Sequence, residues 1–240
     1  MAPDLTTALK DNIARVRERM AQAALQAGRN PGDILLCAVC KSQPHEAISL
    51  SSGMDIDLFG ENREQEMRQH QEAALHAGKS CHFIGHLQTN KVRRVVGQVQ
   101  MIQSVNSLRL LQAIAREAER QGIVQDILFE INVGAEDTKM GASAEDLWPL
   151  LDGAAALPTV RVRGLMSIPP SFDNSPESRR WFALTRELLH RARQRHPQFD
   201  QMDTLSMGMS DSFEAAILEG ATLVRVGSTI YGKRAIVPKE

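Results

Sequence analysis

Apolar positions near the start of the chain recur every three or four residues. Leu5, Leu9, Ile13, Val16, Met20 and Ala24 fall on one helical face, and Gly28 with Pro31 ends that helix. Beyond it the pattern shifts to short apolar runs separated by helical periods. Eight runs read as strands: ILLCAVC (34–40), DLFGE (57–61), CHFIGHL (81–87), MIQSV (101–105), DILFEINV (126–133), VRVRGLMSI (160–168), DTLSM (203–207) and TLVRVG (222–227). Most are apolar on both faces, as strands of a buried parallel sheet must be. The intervening segments carry helix punctuation. Ser107 opens one that Gly122 closes, Ser143 and Asp146 have capping-box spacing, Ser175 precedes Pro176 at a first helical position, and Asp211 with Glu214 repeats the box. No linker or composition shift divides the chain. Eight β–α steps in one piece favour a closed barrel over an open doubly wound sheet. The expectation is an α/β fold: one (β/α)8 TIM-type barrel over residues 1–240, with an extra N-terminal helix.

Composition narrows the partners. Hydrophobic residues make up 42% and charged residues 24% of the 240, with a formal net charge of −1. That is ordinary globular usage, with no overall field to draw nucleic acid or an acidic membrane. No run approaches the roughly 18 apolar residues of a membrane helix, and the N-terminus lacks the apolar core of a secretory signal. Three cysteines make no disulfide framework. A cytoplasmic protein without nucleic-acid or membrane partners is expected.

Barrel chemistry gathers at the C-terminal ends of the strands. That rule selects Lys41, Glu61 with Asn62, His86, Asn132, Met166 with Ser167, Ser206 to Ser210, and Gly227 to Thr229. The Gly-containing ends MGMS and VGST stand beside strands seven and eight, where barrel enzymes commonly rest a phosphate on backbone N–H groups. A phosphorylated small ligand faced by Lys41 across the barrel mouth is the reading these positions support. A lysine that only caps strand one is the structural alternative. Arg225 and Gly227 lie two apart and share a face. Arg225 either pairs with a carboxylate in a barrel layer or faces the ring nitrogen of a pyridine cofactor. In the second role a guanidinium only donates, which leaves that nitrogen unprotonated.

Two other features suggest less. Cys37 and Cys40 are three apart on a strand, so their thiols point to opposite faces and do not converge on a metal. Cys81, His82 and His86 add donors, but no second CxxC appears, and no metal is expected. Lys91, Arg93 and Arg94 read as a solvated helix face; aromatic content of 4% supplies little for base stacking.

Taken together, AVCKSQP (38–44), LFGENREQE (58–66), HFIGHLQTNK (82–91), INVGAEDTKMG (131–141), GLMSIPP (164–170) and LSMGMSDSFEAAILEGATLVRVGSTIYG (205–232) resemble the pyridoxal phosphate homeostasis proteins, relatives of the N-terminal barrel of alanine racemases. These motifs follow the family order over nearly the whole chain. The resemblance implies pyridoxal 5′-phosphate (PLP) as cofactor, held as a Schiff base on Lys41. It places Asn62 beside the cofactor, Met166 against its ring, Ser206, Met207, Gly227 and Ser228 at its phosphate, and Arg225 at its pyridine nitrogen. Around the lysine the family often shows serine and a second basic residue, where this chain has Cys40 and Gln43. At 228 serine replaces a frequent threonine.

A PLP carrier or regulator without substantial turnover is the expected function, with PLP-requiring apo-enzymes as recipients. The alternative is a PLP-dependent amino-acid racemase or decarboxylase of the same barrel type, and a phosphate-binding sugar isomerase is a third class. The racemases carry a second, β-rich domain that supplies a catalytic tyrosine. Here eight residues follow Gly232 and the single tyrosine is Tyr231, so neither that domain nor its dimer contacts are expected, and a monomer is.

Overall fold

The structure, a computed structural model, describes residues 4–134, 140–170, 173–195 and 197–232. Residues 135–139 of the INVGAEDTKMG motif and the tail after Gly232 lie outside the described residues. Eight strands appear where the apolar runs fall: β1 (Leu35–Val39), β2 (Leu58–Glu61), β3 (Ser80–Phe83), β4 (Met101–Val105), β5 (Gln125–Ile131), β6 (Val160–Ser167), β7 (Thr204–Ser206) and β8 (Leu223–Val226). They close in chain order into a parallel barrel, β8 returning to β1. The helices are α1 (Leu5–Gln26), α2 (His45–Ser52), α3 (Glu64–Glu72), α4 (Leu108–Gln121), α5 (Leu147–Ala155), α6 (Pro176–Arg195), α7 (Phe213–Leu218) and α8 (Ser228–Tyr231). Between β3 and β4 the connection is a 3-10 helix, Thr89–Arg94, rather than an α-helix.

Strand alternation sorts the side chains into two cores. Cys37, Leu58 and Leu223 meet in one inner layer and Met101, Leu128 and Met166 in another. Leu36, Ala38, Cys40 and Phe59 point the other way, into the shell between strands and helices. The close packing of β1 and β2 needs Gly60, where a Cβ would lie 2.7 Å from Cys37 Sγ and 2.8 Å from Ile84 Cδ1.

The N-terminal helix buries Leu9, Ile13, Val16, Met20 and Ala24, while Leu5 at its first turn is 41% exposed. Burying each large aliphatic side chain stabilises by about 1.5–3 kcal/mol. Asp4 caps this helix, its Oδ1 accepting from Thr7 N at 2.8 Å. It packs along α2, α7 and α8. Asn12 Nδ2 donates to Ile230 O at 2.8 Å and Arg19 Nε to Glu214 Oε1 at 2.6 Å.

The caps follow the sequence at three places. Ser107 Oγ accepts from Leu110 N, and Gly122 ends α4 at φ +68°. Ser175 Oγ accepts from Ser178 N at the head of α6. Ser143 and Asp146 form the reciprocal box, N–H to side chain in both directions, just before α5. At α7 the expected box does not form. Ser212 takes the cap position, and the Glu214 carboxylate is drawn off by Arg19 and Asn174.

Candidate functional site

At the C-terminal mouth of the barrel lies a cavity of about 350 Å³. Val39 and Lys41 reach it from β1 by the same alternation that turns Cys40 outward. Lys41 sits in a turn closed by Gln43 N donating to Cys40 O at 3.0 Å. Ser42 there adopts φ +56°, a left-handed conformation uncommon outside glycine, and its N–H donates to Glu66 Oε2 of α3 at 3.2 Å. The helix after β2 thus holds the turn that carries the lysine.

Asn62 follows β2 and also lines the cavity; its Oδ1 is buried without a hydrogen-bond partner. Such an atom costs about 1–3 kcal/mol until something donates to it. Its backbone is fixed by Gly85, where a Cβ would stand 2.0 Å from Asn62 O.

Arg225 lines the cavity from β8 and is buried. Its Nη1 donates to Ser206 O and Oγ, both at 2.7 Å, and its Nη2 to Ser167 O at 3.1 Å. Ser206 Oγ donates in turn to Gln103 Oε1 at 2.6 Å, and Gln103 Nε2 lies 2.8 Å from His82 Nδ1. Burial lowers the Arg225 pKa to about 10, opposed by Cys37 and Glu130, so the guanidinium stays charged at neutral pH. Glu130 shares this interior. Burial pushes its carboxyl up to about 7, against the pull of Arg225.

At the end of β8, the strand paired with β1, Ser210 Oγ accepts from Gly227 N at 3.3 Å and from Thr229 N at 3.4 Å. Two main-chain donors therefore converge on one oxygen at the cavity edge. An anionic ligand oxygen can use the same donors.

Five of the eight residues selected from the sequence line this cavity together: Lys41, Asn62, Arg225, Gly227 and Ser228. Three lie elsewhere. Met166 is one layer down with Met101 and Leu128, and Ile168, two residues on and on the same face, meets the cavity. Ser206 stands behind Arg225 as its acceptor, and Met207 packs in the outer shell. The strand ends at Ser206, and the following turn brings Met209, Ser210 and Asp211 to the mouth instead. Of these, Met209 and Ser210 fall in the marked strand-end range; Ile84 and Ile168, which carried no chemical signal, also enter as wall. Among the other marked positions, His86 is exposed and Ser167 Oγ accepts from Thr185 at 2.9 Å. Tyr231 turns away from the cavity, its hydroxyl 2.9 Å from Ser51 Oγ. Lys91 and Arg94 both pair with Glu64 at 3.1 Å, and Arg93 with Glu117 at 3.7 Å. No described helix is long and apolar enough to cross a membrane.

Comparison with known proteins adds to this geometry. The family model described as alanine racemase, N-terminal domain, matches residues 6–235. A pyridoxal phosphate homeostasis protein of Aquifex aeolicus is 40% identical over 224 residues, covering 93% of this chain and 97% of the relative. The structure of PipY from Synechococcus elongatus with PLP bound superposes with a TM-score of 0.74 at 32% identity, covering 90% of this chain and all of that one. An alanine racemase of Clostridium difficile matches with a TM-score of 0.72 at 16% identity, over 98% of this chain and 58% of the racemase. At that identity the likeness shows the fold alone.

Proposed function

The chain belongs to the pyridoxal phosphate homeostasis proteins, within the alanine racemase N-terminal domain family, and from that premise we propose that it binds PLP in the barrel mouth as a carrier or regulator of the cofactor. The observation that carries the reading is one cavity lined by Lys41 after β1 and by the end of the adjoining β8, where two main-chain donors converge. Its volume of about 350 Å³ suits a small phosphorylated ring. PLP, when bound, supplies an aldehyde and a pyridine ring. Lys41 would hold it there through its side-chain amine, as a Schiff base with that aldehyde. Gly227, Ser228 and the Ser210 turn hold the phosphate. Asn62 offers its unpaired amide oxygen, and Ile168 closes against the ring above Met166. Ser206 works through Arg225, fixing the guanidinium that faces the ring nitrogen.

The carrier reading rests on two properties of these residues. Arg225 keeps its own proton at neutral pH, so it donates to the ring nitrogen and leaves that atom unprotonated, a poor sink for carbanion electrons. Tyr231 is committed to Ser51, away from the cavity, and so does not act as a second base opposite Lys41. We place the protein in the cytoplasm as a monomer, handing PLP to apo-enzymes that require it.

The test is absorbance in the violet, followed by borohydride reduction and peptide mass spectrometry on wild type and Lys41→Ala. The band and a pyridoxyl adduct on Lys41 are expected in wild type, and neither in the variant. An adduct found solely on another lysine overturns the assignment. A panel of amino acids offered to the loaded protein tests the carrier role. Turnover of any of them at about 1 s⁻¹, a modest enzymatic rate, overturns it.

A further inference from the structure

Behind the wall that carries Lys41 and Asn62, their chain neighbours Cys40 and Glu61 face the opposite way, into the shell beneath α3. Cys40, Glu61 and His76 each bring a ligand atom there, all within 4.8 Å of one another, and all three residues are buried. Glu61 Oε1 already takes two contacts, His70 Nδ1 at 2.7 Å and His76 Nε2 at 3.0 Å. Its second oxygen, Oε2, is buried with no hydrogen-bond partner, on a side chain with 0% exposure. A bare carboxylate oxygen in a dry site demands a donor or a cation. Phe59 stacks on the His76 ring at 4.7 Å and fixes its plane.

We propose that Cys40, Glu61 and His76 form a binding site for a thiophilic divalent cation of the zinc class. The ion takes Cys40 Sγ, Glu61 Oε2 and His76 Nε2, the last giving up its contact with Oε1, with a water in the fourth position. Cys40 gives up its thiol proton to solvent as the sulfur–metal bond forms. His70 stays on Oε1 as a positioning residue, orienting the carboxylate from behind. Bond lengths of about 2.0–2.3 Å set ligand-to-ligand edges of roughly 3.3–3.8 Å in a tetrahedron. Donors already within 4.8 Å reach that spacing by side-chain adjustment. Thiolate, imidazole and carboxylate together suit zinc and poorly suit magnesium or calcium, which require oxygen donors throughout. The CxxC spacing plays no part. Cys37 faces the barrel interior with Leu58 and Leu223, on the far side of the strand from Cys40.

The site is closed, so loading is tested during folding. Full-length protein is refolded with Co²⁺ or with Zn²⁺, freed of loose ion by desalting, and checked by circular dichroism. One equivalent of metal is expected, with a thiolate-to-cobalt absorption band and a Zn²⁺-dependent rise in Tm. Cys40→Ser and His76→Ala abolish both, and His70→Gln weakens binding by about 10–100-fold. The double variant Cys37→Ser, Cys81→Ser keeps the cobalt band, which assigns the sulfur to Cys40 even where Cys40→Ser folds poorly. Folded wild type that retains no metal overturns the proposal and leaves the histidine–glutamate–histidine group as a proton-sharing pin between β2 and α3. Loss of the band in the double variant, or its survival in Cys40→Ser, overturns it as well. None of these readouts requires PLP.

Discussion

Replacing Glu130 by glutamine keeps the shape of a buried side chain and removes its ionisation. The Glu130 carboxyl titrates at about 7 in the folded chain against an ordinary value of 4.5, because burial outweighs the attraction of Arg225. Between those two values the folded state binds more protons than the unfolded one. Stability from this group is therefore greatest at low pH, falls as pH rises through that window, and stays at the lower level above it. At about 1.4 kcal/mol per pH unit the full displacement is worth about 3 kcal/mol, of which about 2.5 kcal/mol is crossed between pH 5 and pH 8. For a domain of this size, 1 kcal/mol moves Tm by about 2–4 °C. Measured by thermal circular dichroism on ligand-free protein, Glu130→Gln should gain about 5–10 °C on wild type between pH 5 and pH 8. Every other titration is common to both proteins and cancels in that difference. A Tm gap that stays constant with pH would show that Glu130 does not titrate in this range and would refute the burial argument.

Four further outcomes are expected. His82, whose pKa burial depresses to about 4 from 6.5, binds more protons when unfolded; acidification from pH 7 to 5 should cost about 2 kcal/mol that His82→Gln does not lose, read from the same melts. Gly85→Ala forces a Cβ against Asn62 O, and should destabilise by about 1–3 kcal/mol while reducing PLP affinity in a titration; an unchanged affinity detaches Asn62 from the site. Ser228→Ala should weaken PLP by about 1–2 kcal/mol, since backbone donors remain, and pyridoxal lacking the phosphate should bind far more weakly than PLP, with comparable affinities ruling out the phosphate grip.

The barrel was legible because its strands are apolar on both faces and its helices carry punctuation, two local signals that agree. Lys41, Asn62, Arg225, Gly227 and Ser228 were legible for a further reason: each stands near or just beyond a strand end, and all but Ser228 lie on the inward phase of the alternation. Ser206 and Met207 show where that reasoning stops. One residue of uncertainty in where β7 ends exchanges interior for shell and strand for turn, so the mouth is met by Met209 and Ser210 instead. Met166 has the correct phase but sits two residues too deep. Glu61 and Cys40 were noticed singly, but their grouping with His70 and His76 was not legible. It joins the outward phase of two strands to histidines on and just beyond α3, a juxtaposition that only tertiary packing creates. The missing box at α7 has a similar cause, since Glu214 is claimed by Arg19 from the far end of the chain.

The closure of β8 onto β1, with Asn12 of the first helix tied to Ile230 at the end of α8, has a consequence for the order of synthesis. Lys41 leaves the ribosome long before Gly227, Ser228 and Thr229 are made. At about 5–20 residues per second the interval is on the order of ten seconds or more. During that time the lysine has neither its neighbouring strand β8 nor the donors that gather on Ser210. An aldehyde meeting the nascent chain finds an ordinary surface amine, with no phosphate grip to retain it. Retention of the ligand thus begins as a property of the closed barrel, and α1 and α8 act together as the latch that switches it on.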